Sequence, residues 1–315
     1  MPPAITAVRP AYRPYAARVE EVRTLSPSFV RVTFSGPEFA DFGRSGLDQR
    51  IKVVIPFADG TIADLGQNDP VAIAEGSWYT RWRDLPAARR NPFRTYTVRR
   101  FDPARQRLDV DFVLHHDPGP AGAWAASATP GDELLIIGPD ENSPHSHTGL
   151  DWHPGTARRL LLAGDETAAP AICSILESLD ASADVDAFVE VPTAADVLAL
   201  DTRPRPGVRL TWLPRDGAPH GHRLIESLQT WCAASADVLV AAAAPRPQEL
   251  ADIDVDRDLL WDSPEEGEGE FYAWMAGESA TVKLLRRMLV STHGVDRKRV
   301  AFMGYWRLGQ SERQE

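Results

Sequence analysis

Cysteine is scarce in this 315-residue chain, which holds only Cys173 and Cys232. Two thiols exclude a disulfide-framed secreted fold and an iron–sulfur cluster built on four cysteine thiolates. Long apolar runs are also lacking. The longest, Val238 to Ala244, falls far short of the roughly 20 residues that span a bilayer as a helix. Residues 1–15 carry prolines and arginines around no apolar stretch, so they read as a disordered lead-in and not as a signal peptide. There is no excess of positive charge. The formal net charge is −11, which argues against a general nucleic-acid binder. The glycine fingerprint of dinucleotide-binding folds is missing, so no nicotinamide cofactor follows from a motif alone. No internal repeat is visible. These absences point to a cytoplasmic protein with reduced thiols, with no nucleic-acid and no membrane partner. Oligomeric state is not readable from them.

What is present is length enough for two domains, each with its own core. The first half reads as β-structure from Ala17 onward. Val30, Val32 and Phe34 alternate with Arg31, Thr33 and Ser35, and Leu108, Val110, Phe112 and Leu114 alternate with polar residues. Ile51 to Ile55 is a short apolar run interrupted by Lys52. The polar, Pro- and Trp-rich stretch 57–92 reads as a loop across the domain surface. Short strands between turn signals predict a small antiparallel barrel.

One strand carries chemistry: Arg94-Thr95-Tyr96-Thr97-Val98-Arg99. Alternation puts Arg94, Tyr96 and Val98 on one face and Thr95, Thr97 and Arg99 on the other. Arginine is a forked donor for phosphate oxygens, tyrosine a flat apolar face, and threonine a small hydroxyl for a ring edge. The set reads as a grip for a flavin. His115 and His116 end the later strand, and Asp117-Pro118-Gly119-Pro120 turns into an alanine-rich helix at Ala121 to Ala128 that contains Trp124. A glycine turn at a helix N-terminus offers free N–H groups to an anion, here a pyrophosphate. Nine arginines and two acids fall between Arg81 and Arg107, a local basin for anions in an acidic chain.

The stretch 140–154 reads as an inter-domain linker, and its His145-Ser146-His147 finds no third metal ligand. Beyond residue 155 the period changes. Strands at Arg159–Ala163, Asp186–Val191, Val208–Leu213, Phe271–Met275 and Arg299–Gly304 alternate with helices at Ala169–Leu179, His222–Trp231 and Ser279–Thr292. That alternation predicts an open, mostly parallel sheet, with ligands at the carboxyl ends of its strands. The glycine turns at Gly164 and Gly277 fall at such ends. Residues 237–269 read as an insertion, and the acidic half from Asp252 to Glu270 as a solvated excursion. Arg215 reads either as a grip for a ribose phosphate or as a solvated loop residue.

Taken in order, the strings Arg94–Arg99, Gly119-Pro-Ala with Trp124-Ala125, Pro130-Gly-Asp132, Ala163–Ala168, Ala276-Gly-Glu278 and Gly304-Tyr-Trp-Arg307 resemble the siderophore-interacting protein family within the ferredoxin-reductase-like flavoproteins. The resemblance runs over about residues 16 to 310. It implies an FAD-binding β-barrel domain at 16–140 and an NAD(P)H-binding α/β domain at 155–310. It implies FAD and either NADPH or NADH, with a ferric siderophore as substrate. By position, Arg94, Thr95, Tyr96, Thr97, His115, Gly119, Ala121 and Trp124 would hold the flavin. Gly164, Asp165, Glu166, Thr167, Gly277, Glu278, Tyr305 and Trp306 would serve the nicotinamide side and its neighbourhood. Lys52 and Arg307 would face the siderophore. Gly138-Pro139-Asp140-Glu141 departs from the family in having acids where relatives often carry Arg-Gly. No resident metal and no acid, base or nucleophile is implied, because the electron transfer belongs to the cofactor. A non-redox siderophore-binding module and a flavin reductase for a protein partner stay open beside the reductase.

Overall fold

A computed structural model describes residues 9–115, 119–200, 205–250, 253–255, 257–265, 267 and 269–310. The chain forms two compact units that divide between Leu150 and Asp151.

The first unit is built on strands β1 (Tyr12–Ser26), β2 (Phe29–Ser35) and β3 (Arg50–Val54), two short helices α1 (Pro70–Glu75) and α2 (Trp78–Asp84), strands β4 (Phe93–Thr97), β5 (Arg100–Asp102) and β6 (Arg107–Val113), helix α3 (Pro120–Ser127) and strand β7 (Glu133–Pro139). The strands form one antiparallel sheet in the order β4-β3-β7-β1-β2-β6-β5. It curls into a half-barrel, as the alternation in the sequence predicts. The inward residues of that alternation, Val30, Val32, Phe34, Leu108, Val110 and Phe112, meet Ile51, Val53, Leu134 and Ile136 in one core.

Three expectations for this unit change. The described end of the lead-in is strand from Tyr12, and residues 1–8 lie outside the described residues. β1 pairs with β7 from Tyr12 to Arg18 and with β2 from Arg18 on. One edge of its first half therefore makes no ladder with a named strand, and an edge admits Pro14. Second, the stretch 57–92 is not a surface loop. Asp69 accepts a hydrogen bond from the Val71 N–H, Pro70 opens α1, and Gly76 ends it at φ +65°. Trp82 of α2 is 1% exposed and packs with Val54, Leu65, Phe93, Leu135 and Ile137 in a second core on the outer face of the sheet. Third, the expected linker belongs in its first half to this unit. The Asp140 N–H donates to the Ala11 carbonyl, Ser143 Oγ to Arg9, and Gln49 Nε2 to Thr148.

The second unit comprises β8 (Arg159–Gly164), α4 (Ala169–Ser178), β9 (Asp184–Val191), β10 (Val208–Pro214), α5 (His222–Ala234), α6 (Ala236–Ala241), β11 (Trp261–Asp262), β12 (Phe271–Glu278), α7 (Ser279–Arg286), a π-helical turn at Arg287–Thr292 and β13 (Val300–Trp306). The sheet order is β10-β9-β8-β12-β13-β11. All pairs are parallel except β11 with β13. Strands covered on both faces read as continuous apolar runs, and every residue of β12 is buried. The acidic excursion is corrected here: Leu260 is buried, Trp261 and Asp262 add the edge strand β11, and Asp262 accepts a hydrogen bond from Arg286 at 3.0 Å.

Candidate functional site

In the first unit the grip strand is shorter than the sequence suggests. β4 ends at Thr97, and Val98 and Arg99 leave the ladder. Its register with β3 sorts the side chains. Arg94 lies opposite Val53 and Tyr96 opposite Ile51, both members of the half-barrel core. Thr95 lies opposite Lys52, and these two share the outer face with Phe93. Tyr96 is half-buried, its ring 4.5 Å from that of Phe112, which in turn lies 5.7 Å from Trp124 of α3. Trp124 also stacks on Phe34 at 6.1 Å. This row of rings joins the grip strand to the helix that follows the glycine turn. Thr97 is buried on the opposite face from Tyr96, and Arg94 is half-buried with Nη1 on the Phe93 carbonyl at 2.8 Å.

Gly119 is the N-cap of α3 and supplies no capping side chain. A Cβ built there meets no atom within 4 Å, whereas Ala121 is buried beneath the turn. Among the described residues no side chain caps this first turn, which with small residues behind it suits a phosphate group. His115 is exposed just after β6, and His116 lies outside the described residues. These features fit a flavin dinucleotide, with ring-stacking and phosphate-accepting elements on one unit.

On the outer face, the Lys52 ammonium lies 4.8 Å over the Phe93 ring and 3.4 Å from Thr95 Oγ. Lys52 is thus on the other side of the sheet from Tyr96.

In the second unit, strand order reverses between β8 and β12, the switch point at which open α/β sheets bind ligands. The two glycine turns meet there. Asp165 ties them together. Its Oδ1 accepts from the Thr167 N–H at 2.9 Å and from the Thr167 hydroxyl, and its Oδ2 accepts from the Glu278 N–H at 2.8 Å and from Trp306 Nε1 at 2.7 Å. Burial, reinforced by the Glu166 carboxylate next to it, pushes the Asp165 carboxyl up to about 7 against those hydrogen bonds. Gly277 has φ +146°, and a Cβ there would stand 2.7 Å from Asp165 Oδ2. At Gly164 a Cβ would stand 2.6 Å from the Ala276 carbonyl oxygen. Both glycines are therefore required by close packing of the two turns. Glu278 caps α7 through the Thr281 N–H at 2.8 Å.

Glu166 is fully buried, and both its oxygens are taken by Arg215, at 2.6 and 2.8 Å. Arg215 also reaches Glu190 at 3.3 Å. Arg215 is thus neither solvated nor presented to a phosphate, contrary to both expectations for it. Glu190 accepts further from the N–H groups of Gly221, Arg223 and Leu224, a role local sequence does not signal. Tyr305 stacks on Trp261 at 5.8 Å, and Trp306 meets the edge of His220 at 5.1 Å. Arg307 is partly exposed and bridges to Gln310. A small cleft lies between Asp165, Glu190, Gly277, Glu278 and Thr281. The carboxylates that line it are already engaged by donors of the scaffold. Among the described residues, no group of three His, Cys, Asp or Glu could hold a metal ion.

Residues 18–143 match the sequence model of the siderophore-interacting FAD-binding domain, and residues 157–309 match that of the siderophore-interacting protein. The chain belongs to the siderophore-interacting protein family. Among relatives of this family member, the ferric vibriobactin reductase of Vibrio cholerae is 28% identical over 91% of this chain and 87% of its own. A siderophore utilization protein from T. fusca has a crystal structure that superposes with a TM-score of 0.66 at 28% identity, covering 96% of each chain. A ferredoxin–NADP⁺ reductase from Neisseria gonorrhoeae shares the fold, with a TM-score of 0.57 at 16% identity over 94% of this chain and 100% of that one. The ferredoxin-reductase-like architecture read from the sequence is the architecture of the protein. No helix among the described residues is long and apolar enough to cross a membrane.

Proposed function

We propose that this protein is a flavin-dependent reductase of ferric siderophores, taking electrons from NADH or NADPH through FAD to iron(III) and releasing iron(II) in the cytoplasm. The observation that carries the reading is the row Tyr96–Phe112–Trp124 beside the open Gly119 turn, in a chain of this family. Residues 16–140 hold the flavin and residues 155–310 receive the nicotinamide. The vibriobactin reductase among the relatives supports the substrate class. FAD supplies the conversion of an electron pair into single electrons. Iron(III) is bound by hard oxygen ligands, which hold iron(II) far less well, so reduction releases the metal. One NAD(P)H reduces two iron(III) and yields NAD(P)⁺ and a proton.

The chain's part is binding and orientation. Tyr96 offers its ring face and Arg94 its guanidinium from one face of β4, and the first turn of α3 offers its N–H groups, whereas Thr95 and Thr97 lie on the other face of the strand. Lys52 and Arg307 attract an anionic ferric complex.

The test is spectroscopic. The purified protein reconstituted with FAD should be yellow and should bleach under anaerobic NADH or NADPH. Adding a ferric siderophore should restore the colour and produce ferrous iron in a chelator trap without any protein partner. Tyr96→Ala should weaken FAD binding by about 1–3 kcal/mol, the scale of one ring stacked on an aromatic side chain. A protein that binds ferric siderophore but never bleaches would sink the reductase reading.

A further inference from the structure

Asp165 holds together parts of the chain that no local interaction connects. Four hydrogen bonds to its carboxylate reach its own turn through Thr167, the β12–α7 turn through the Glu278 N–H, and the end of β13 through the Trp306 indole, 141 residues away. The same Oδ2 takes both distant donors, and Gly277 lacks a side chain where a Cβ would collide with it. The carboxylate is buried, so these bonds are not diluted by water. The indole also meets the His220 ring at 5.1 Å in a T-shaped contact. One anionic oxygen therefore ties the Trp306 indole to both turns of the switch point.

We propose that Asp165 is a positioning residue that latches Trp306 across the carboxyl end of the second unit's sheet, and that the latch holds only while Asp165 is ionised. The assignment of this crevice to the nicotinamide donor rests on the reading above; the latch itself does not. A protonated carboxyl presents one hydroxyl that no longer accepts, and its remaining oxygen is a weaker acceptor, because hydrogen bonds to an ionised group are the strong ones. The charged groups around Asp165 are Glu166 on its own turn, Glu278 on the β12–α7 turn, Glu190 of β9 across the cleft and Arg215, which Glu166 and Glu190 hold. His220 lies against the indole. Because burial lifts the Asp165 carboxyl to about 7, the latch opens within an accessible pH range.

The experiment follows the indole N–H resonances of the FAD-reconstituted protein labelled with ¹⁵N-tryptophan. The Trp306 signal is identified among nine tryptophans by its loss in Trp306→Phe. It should move between pH 5.5 and 8.5 with a single inflection near 7, and the inflection should vanish in Asp165→Asn. In the same variant the KM for NADH or NADPH should rise several-fold, with kcat at saturating donor little changed and flavin content unchanged. The wild-type titration needs no variant, so a misfolded Asp165→Asn does not protect the proposal. A Trp306 signal that ignores pH overturns the latch. So does an inflection that persists in Asp165→Asn, which would assign it to His220. If wild-type protein neither binds nor oxidises either nicotinamide, the functional reading fails, and the indole titration alone still decides the latch.

Discussion

Arg215 and Glu166 form a two-pronged ion pair, Nη1 to Oε2 at 2.6 Å and Nη2 to Oε1 at 2.8 Å, with both side chains buried. Glu190, also buried, shares the same guanidinium at 3.3 Å. Two buried carboxylates thus depend on one cation at the carboxyl ends of β8 and β9. Removing one partner of such a group strands the rest in a low dielectric. Arg215→Ala should therefore cost roughly 3–5 kcal/mol, read as a lower urea midpoint at unchanged slope. A variant as stable as wild type would mean the network is solvated.

Trp82 anchors residues 57–92 to the outer face of the first sheet. Its indole donates to the Asn91 carbonyl at 2.8 Å, and Asn91 in turn holds Ala63, Ile55 and Thr61 through its side chain. Trp82→Ala should destabilise the first unit by about 3–5 kcal/mol, the usual cost of emptying a core aromatic. A surface loop would lose no more than about 0.5 kcal/mol. Thermal unfolding of the two proteins separates these outcomes.

Lys52→Ala should raise the KM for an anionic ferric siderophore several-fold and leave flavin reduction by the nicotinamide untouched. Lys52 lies on the outer face with Phe93 and Thr95, away from Tyr96, so the flavin grip keeps its contacts. An exposed charge pair contributes only about 0–1 kcal/mol. The defect should shrink with added salt, which screens exposed charges within roughly 10 Å at 0.1 M. Wild-type kinetics of Lys52→Ala at low salt would remove Lys52 from substrate attraction.

Asp165 also makes stability depend on pH. Its carboxyl is raised to about 7 in the folded protein, above its unfolded value of about 3.9. The folded state then binds the proton more tightly, so this contribution is fully present below about pH 4 and is lost as pH rises through about 7. Unfolding free energies measured at several pH values should fall more steeply toward neutrality for wild type than for Asp165→Asn. Parallel curves would show that Asp165 titrates as an ordinary carboxylate.

Local pattern alone determined the succession of elements. Alternation at Leu108, Val110 and Phe112 marks a strand with one buried face, and the unbroken Leu160–Ala163 run marks one buried on both. Gly119 before Pro120 marks the start of α3, and Leu224, Leu228 and Trp231 mark the inner face of α5. The six strings that identify the family are likewise local. Asp69-Pro70 and Gly76 carried a helix start and stop that could have been read as such.

What no local pattern contains is the choice of distant partner. Glu166 finds Arg215 49 residues away, and Asp165 finds Trp306 141 residues away. Both acids sit in a glycine turn that by itself looks open to a ligand. Arg215 looks like a free loop cation until two carboxylates, one from the turn after β8 and one from β9, close on it. Trp82 looks like a surface aromatic until the outer face of the sheet, assembled from β3, β4 and β7, presents Val54, Phe93, Leu135 and Ile137 to it. Period and composition report which face of an element is apolar, whereas burial and ion pairing depend on what the folded chain brings against that face. Most elements and the family were legible in the sequence, and the tertiary structure alone decided which polar groups of the candidate site are bound up in its scaffold.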